Sequence, residues 1–182
     1  MGQRMITLAE LDDALPHVLA APKTDAPIRE FCLRPAIGQR AFPDRIKMSK
    51  SQGIPGERWA TTPWLRLADG SPDPRIQVSI LQSRVMDLVW RDHNQPHPGD
   101  PIVADMEMSE ANLPAGTLIQ AGSAVLRVSD VWNDSCAKWK VRYGTDAYTW
   151  VRASPSLRLR GILCSVEVDG EVALGERLRV LL

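Results

Sequence analysis

The sequence predicts a mainly β, barrel-like fold with a few short helices. Short apolar runs follow each other at close spacing, and Gly, Pro and Asp residues separate them. In the clearest run, Ile76, Val78 and Ile80 alternate with polar residues, which is the pattern of a strand with one buried face. Closing many short strands into a barrel removes unpaired sheet edges. With 182 residues, the chain is long enough for one domain with a sizeable core.

The N-terminus predicts one short helix. Thr7 and Glu10 have the spacing of a capping box, in which each side chain bonds a free backbone N–H group. Leu11 and Leu15 then fall on one helical face, and Pro16 is expected to kink or end the helix.

The remaining elements follow from periodicity and turn residues. We predict strands at residues 28–33, 76–80, 117–120, 125–128 and 161–168, and a last strand that ends near Leu181. Short helices are predicted at residues 85–90, 136–143 and 146–151, and long loops with short strands at residues 35–74. Asp169-Gly170 predicts a tight hairpin between the strand at 161–168 and the segment that follows.

Composition and charge exclude several classes of protein. The 22 basic residues balance the 22 acidic ones, so no overall field attracts nucleic acid or an anionic membrane, and we expect neither as a partner. No signal peptide and no apolar run long enough to cross a bilayer is visible. Three widely spaced cysteines argue against a disulfide framework and against a CxxC zinc site. We therefore expect a cytoplasmic protein with reduced thiols.

Common catalytic motifs are absent from the sequence: it has no GxxxxGK[ST] loop, no GxSxG elbow and no HExxH pair. His93 and His97 are four residues apart, but Pro96 and Pro98 oppose a helix there. Loop histidines are therefore favoured over a metal site.

Cys136 stands out because it lies at the start of a predicted helix. The helix dipole favours a thiolate at that end, and Lys138, Lys140 and Arg142 add positive charge nearby. Such a sulfur serves as a nucleophile, a persulfide carrier or a soft metal ligand. Residue type alone favours the alternative, a buried cysteine packed against a neighbouring tryptophan.

Three segments around this cysteine resemble bacterial MOSC-domain proteins, whose domain is named after the C-terminal domain of molybdenum cofactor sulfurases. They are residues 135–139 (Ser-Cys-Ala-Lys-Trp), 142–147 (Arg-Tyr-Gly-Thr-Asp-Ala) and 158–162 (Arg-Leu-Arg-Gly-Ile). Further similarity covers residues 53–58, 75–79, 109–117, 169–172 and 175–176. The matches run in order from about residue 28 to residue 182, which is more specific than any single motif.

Two features depart from the family pattern. Glu57 and Glu176 stand where the family usually has Asp, a change that keeps the charge. Residues 1–27 have no recognised counterpart, so the chain divides into an N-terminal helical extension, residues 1–27, and a MOSC domain, residues 28–182.

The resemblance implies a MOSC-type, β-barrel-like fold, the molybdenum cofactor (molybdopterin) as ligand, and Cys136 as catalytic residue and metal ligand. In cofactor sulfurases the domain passes sulfur from a cysteine desulfurase to the cofactor, and in related amidoxime-reducing enzymes the matching cysteine ligates molybdenum. The pterin carries a phosphate, which needs basic or hydrogen-bonding partners. The candidates are Arg75, Asn112, Lys138, Arg142, Arg158 and Arg160. Arg158 and Arg160 are expected on one strand face, with Gly161 allowing close backbone approach.

Three functions remain open from the sequence. The first is a molybdenum-dependent reductase of N-oxygenated compounds, which needs a separate redox partner because the chain has no flavin, haem or iron–sulfur motif. The second is a non-enzymatic sulfur carrier that depends on a partner cysteine desulfurase. The third is a module that binds another anionic ligand. The sequence determines neither the substrate nor the oligomeric state.

Overall fold

A computed structural model of the protein describes residues 4–181, and the predicted fold class is confirmed. The strands are β1 Asp25–Phe31, β2 Arg45–Met48, β3 Val78–Gln82, β4 Ile102–Ala104, β5 Leu118–Ala121, β6 Ala124–Val128, β7 Ile162–Val168, β8 Gly170–Ala173 and β9 Arg177–Leu181. The helices are α1 Leu8–Leu19, α2 Ser83–Val89, α3 Ala137–Tyr143 and α4 Thr145–Ala153, with 3₁₀ turns at Pro74–Ile76 and Pro155–Leu157.

Seven strands form a closed barrel in the order β1-β4-β3-β7-β6-β5-β9. β3 and β4 are parallel, and all other neighbours in the barrel are antiparallel. Because a parallel pair needs a crossover, α2 lies between β3 and β4 in the chain. β2 and β8 form a separate two-stranded sheet.

Two apolar cores lie on the two sides of the barrel wall. The barrel interior is filled by alternate residues of its strands, for example Ile28, Val78 and Leu126. Outside the wall, the helices pack on residues such as Leu81 and Val103 of β3 and β4. Adjacent residues of these two strands therefore point into different cores, which follows from the two-residue period of a strand.

Helix α1 is part of the second core. Leu11 and Val18 are fully buried there, and the predicted capping box of Thr7 and Glu10 is present. Pro16 was expected to kink or end the helix. It does not end it, because α1 continues to Leu19. The burial of Val18, two residues further on, offsets the hydrogen bond that proline cannot donate.

The predicted hairpin at Asp169-Gly170 is wrong. β8 pairs with β2 instead of returning along β7. The Asp169 carboxylate accepts a hydrogen bond of 2.8 Å from the Lys50 backbone N–H, which helps to direct the chain toward β2. One further expectation is also wrong: Arg158, expected on a strand face with Arg160, lies in a left-handed turn before β7.

No helix within residues 4–181 is both long and apolar enough to cross a membrane.

The strands and helices that the sequence predicted in the second half are present to within a few residues, except for the hairpin. The division into residues 1–27 and 28–182 stays a prediction.

Gly161 lies directly before β7 and close to the backbone of β3. Its φ is +98°, and a Cβ atom there would come within 2.2 Å of the Ile80 carbonyl oxygen. The close backbone approach expected at this glycine is therefore present.

We expect Gly161→Ala to lower the free energy of unfolding by about 3 kcal/mol or more, because backbone strain adds to a clash with β3. Gly175→Ala is the matched control: its φ is +90°, but no atom lies within 4 Å of an added Cβ. We expect it to cost only about 1–2 kcal/mol. Urea unfolding of both variants checks this, and equal losses would contradict the proposed clash.

Candidate functional site

One large cleft, of about 650 Å³, lies beside the barrel. This volume is in the range of small-molecule sites. Its walls come from the loop after β1, the segment between β2 and β3, β3 itself, the loop before β4, the segment from Asn133 through α3, and the segment from Arg160 into β7. The cleft is therefore assembled from parts of the chain far apart in sequence.

Cys136 lines this cleft, and its side chain is exposed. The predicted position at a helix start is confirmed, because Cys136 is the residue that caps α3 and its carbonyl accepts a 2.9 Å bond from Trp139 N–H. The preceding residue, Ser135, has a φ of +71°, an uncommon backbone conformation for a residue with a side chain. Strained backbone of this kind concentrates at functional sites.

The other two cysteines differ from Cys136 in their burial. Cys32 and Cys164 are fully buried, and burial raises the pKa of each thiol to about 12. Cys164 lies in the strand that the sequence predicts at residues 161–168, and its side chain packs in the barrel core. Cys136 is thus the accessible thiol of the chain.

The walls of the cleft carry an excess of positive charge. Six cationic side chains line it, against three acidic ones: Arg34, Arg40, Arg58, Lys138, Arg142 and Arg160, against Glu57, Asp100 and Asp134. Two of the acids are held by arginines of the same cleft, Glu57 by Arg34 at 3.0 Å and Asp100 by Arg160 at 2.8 Å. The remaining excess favours an anionic ligand.

Arg40 shows the effect of this crowding. Burial, together with the neighbouring charges of Arg142 and Arg34, lowers the pKa of its guanidinium group. Its guanidinium donates to the carbonyl oxygens of Gln39 and His97, which hold it in place without neutralising it. An anion in the cleft would relieve the repulsion among these arginines.

Arg160 connects the charged wall to the cysteine helix. One oxygen of the buried Asp100 fixes its guanidinium, which lies 4.5 Å from the centre of the Trp139 ring. Trp139 is on the first turn of α3, three residues after Cys136. The Asp100–Arg160 pair therefore helps to set the position of the helix that Cys136 begins.

Three buried polar atoms in the described part of the chain have no hydrogen-bond partner: Asp100 Oδ2, Ser135 Oγ and Trp139 Nε1. All three belong to residues that line the cleft. Unpaired buried groups are rare because each costs free energy, and their concentration at one place is typical of a ligand site.

The structure brings together half of the predicted ligand-binding residues. Lys138, Arg142 and Arg160 line the cleft with Cys136. Three others lie outside it, with their polar groups bound elsewhere: Arg75 to Asp73 and Asp130, Asn112 to the carbonyls of Lys23 and Glu107, and Arg158 to the carbonyl of Leu113. Phosphate binding by these three stays a prediction, but the cleft offers better placed groups.

Sequence reasoning did not single out Arg34, Arg40 and Asp100. The residue that makes room for these side chains is Gly99, which precedes Asp100 in the run Pro-Gly-Asp-Pro. Its φ is +91°, and an added Cβ would lie 2.9 Å from Arg34 Cδ and 3.1 Å from Arg40 Nε. The missing side chain leaves room for both arginines, which is a use of glycine that one sequence does not reveal.

The donor set of the cleft fits the molybdenum cofactor. Residues 4–181 contain no cluster of three His, Cys, Asp or Glu side chains able to hold a bare metal ion. The cleft does offer one accessible sulfur, a soft ligand, beside cationic groups suited to a phosphate. A metal that arrives with its own organic ligand needs only this from the protein.

The barrel and its helices also occur in solved bacterial structures. YuaD from Bacillus subtilis superposes with a TM-score of 0.63 at 19% identity, over 86% of this chain and 95% of that one. YiiM from Escherichia coli gives 0.58 at 15% identity, over 87% and 70%. YiiM from Geobacillus stearothermophilus gives 0.51 at 13% identity, over 89% and 75%. The chain has a MOSC-like fold.

At these identities the MOSC likeness concerns the fold alone. No protein-family model and no curated protein sequence matches the chain. The function must therefore be argued from the cleft, because one fold hosts many activities.

Burial predicts which thiol reacts. In the native protein we expect iodoacetamide at pH 8 to modify Cys136 alone, because Cys32 and Cys164 are inaccessible and, with a pKa of about 12, stay protonated. Intact-mass spectrometry should show one adduct per native chain and three adducts after denaturation. Adducts on Cys32 or Cys164 in the native protein would contradict this assignment.

The Asp100–Arg160 pair can be tested by stability. We expect Arg160→Leu to lower the free energy of unfolding by about 3 kcal/mol, because it leaves the buried Asp100 carboxylate without its partner. Adding Asp100→Leu should recover much of the loss, since the uncompensated charge is then removed. An exposed pair is the control, and we expect Arg45→Leu, which separates Arg45 from Glu171, to change stability little. If the variant that carries both Arg160→Leu and Asp100→Leu lost as much stability as the two single variants together, the coupling of Asp100 and Arg160 would be contradicted.

Proposed function

We propose that the cleft binds the molybdenum cofactor and/or carries sulfur, with Cys136 as the reactive group. The observation that supports this is the convergence of the chain's accessible thiol, an excess of arginines and three unpaired buried polar atoms in one cleft. Each feature alone has an ordinary structural explanation, but a folding requirement does not explain all three at one place.

In the cofactor role, the Cys136 sulfur would ligate molybdenum, and the cationic wall would hold the pterin phosphate. The groups available for the phosphate are Arg40, Arg58, Lys138 and Arg142, since Arg34 and Arg160 are already paired with Glu57 and Asp100. When bound, the cofactor supplies two-electron redox chemistry. Asp100 and Arg160 keep the cysteine helix in position.

As a reductase, the protein would convert an N-hydroxylated compound and two electrons with two protons into the amine and water. The electrons must come from a separate redox partner, since the sequence carries no flavin, haem or iron–sulfur motif. The cleft contributes orientation, and ring side chains such as Trp59, Trp139 and Tyr143 form part of its walls.

As a sulfur carrier, Cys136 would take sulfur from the persulfide of a partner cysteine desulfurase. The Cys136 thiolate attacks the outer sulfur, a new S–S bond forms, and the old S–S bond breaks with its electron pair leaving on the donor thiolate. This step needs no oxidant or reductant. The exposure of Cys136 favours this second role, because a sulfur donor must reach the thiol.

In a third role, the protein would bind another anionic ligand through the same arginines. The Cys136 thiol would then take no part in the function. The strained Ser135 beside Cys136 favours the two thiol-centred roles over it.

The proposal is tested by the molybdenum content per chain after expression in a cofactor-producing host. We expect about one molybdenum in the wild type and no more than about a tenth of that in Cys136→Ser, because a sulfur ligand is lost. Cys164→Ala is the control: it removes a buried thiol outside the cleft and should leave the metal content unchanged.

Absence of metal in every variant would exclude ligation by Cys136 and leave sulfur transfer. In that case, incubation with cysteine and a cysteine desulfurase should add one sulfur to Cys136, seen as a mass increase that dithiothreitol reverses. Absence of both metal and persulfide would contradict the proposal. Reduction of an N-hydroxylated substrate with an artificial electron donor separates the enzyme, which turns over, from the carrier, which does not.

A further inference from the structure

Two large apolar side chains stand exposed at the cleft. Ile37 is 80% exposed and Trp64 is 65% exposed, and both line the cleft. They come from different loops, one after β1 and one between β2 and β3. Other exposed apolar residues, such as Leu67 and Val141, do not line it.

Both loops are held at their bases. Leu33 and Ala41 exchange two backbone hydrogen bonds of 2.8 and 2.9 Å, which close the loop that carries Ile37. At the base of the second loop, Trp59 Nε1 donates a 2.8 Å bond to the Asp73 carbonyl. The fold thus presents Ile37 and Trp64 in fixed surroundings, which lowers the entropy cost of binding.

An exposed indole is a strong binding surface for a flat ring. It has a large apolar area and a π face, and it loses little side-chain entropy on binding. The size and concavity of the cleft suit a small molecule better than a protein surface, which would need a broad flat patch. The charged residues lie on the same walls, so a ligand must offer an apolar part to Trp64 and Ile37 and a polar part to the remaining wall.

We propose that the substrate of this cleft carries a planar aromatic group, which stacks on Trp64 beside Ile37 while the polar reacting end lies toward Cys136. This rests on the proposed function only in placing the reaction at Cys136, either at its sulfur or at a metal that the sulfur holds. Trp64 and Ile37 are then specificity-determining residues, and substrates with small aliphatic groups in place of the ring bind less tightly.

The test uses the Cys136 thiol of the full chain as a reporter. N-phenylmaleimide and N-ethylmaleimide form the same bond: the sulfur adds to one alkene carbon, the other takes up a proton, and nothing leaves. The rate of Cys136 modification, followed by intact mass against reagent concentration, gives a dissociation constant for the reversible complex and a limiting rate for the reaction.

We expect the wild type to bind N-phenylmaleimide about tenfold more tightly than N-ethylmaleimide before reaction. Trp64→Ala should remove most of this preference by raising the dissociation constant of the phenyl reagent alone. Trp64→Phe should retain it within about threefold, because a stacking ring remains. Leu67→Ala, an exposed apolar control from the segment that also carries Trp64, should change neither constant.

Equal binding of the two reagents, or an unchanged phenyl preference in Trp64→Ala, would overturn the inference. So would a change in the limiting rate of both reagents, which would mean that Trp64 acts through the structure around Cys136. None of these outcomes bears on the molybdenum content or on persulfide formation at Cys136, so the inference can fail while the proposed function stands. An unreactive Cys136 would remove the accessible thiol on which the inference and the proposed function both depend.

Discussion

Closure of the barrel through β1 and β9 is the constraint on which the cleft depends. β1 pairs with β9 over its first residues and with β4 over its later ones, so it joins the C-terminal strand to the middle of the chain. The register changes between Ile28 and Glu30, which lets one strand serve both neighbours. Immediately after β1 the chain passes through the buried Cys32 to Arg34, on the wall of the cleft. The position of this wall is therefore set by strand pairing.

The contact between β7 and β3 sets the position of a second wall of the cleft, the one that carries Arg160. Gly161 lets the two backbones approach, and Arg160, one residue earlier, reaches Asp100 before β4. A shift of β7 would separate these two residues. The pair in turn supports Trp139 and the helix that Cys136 begins. The reactive thiol is thus positioned by a short chain of contacts that starts at a barrel strand.

The electrostatics of the cleft explain how a chain of zero net charge forms an anion site. The six cationic residues of the walls come from four separate segments, so the sequence shows only part of this positive charge, the group around Lys138. Acidic residues neutralise two arginines, and the others remain available to a ligand. Local concentration of charge by folding, rather than overall composition, decides what such a protein binds.

The sequence alone determined the fold class, most helices and strands of the second half, and Cys136 at the start of a helix. These features depend on local periodicity, turn residues and capping, which act over a few residues. It did not determine that β8 leaves β7 for β2, or that α1 passes Pro16, because tertiary contacts outweighed local preference there. Tertiary structure also decided the composition of the cleft. Arg75, Asn112 and Arg158 are placed away from it, while Arg34, Arg40 and Asp100 join Cys136 only because barrel closure brings distant segments together. Such proximity is a property of the folded chain, and no pattern in one sequence encodes it locally.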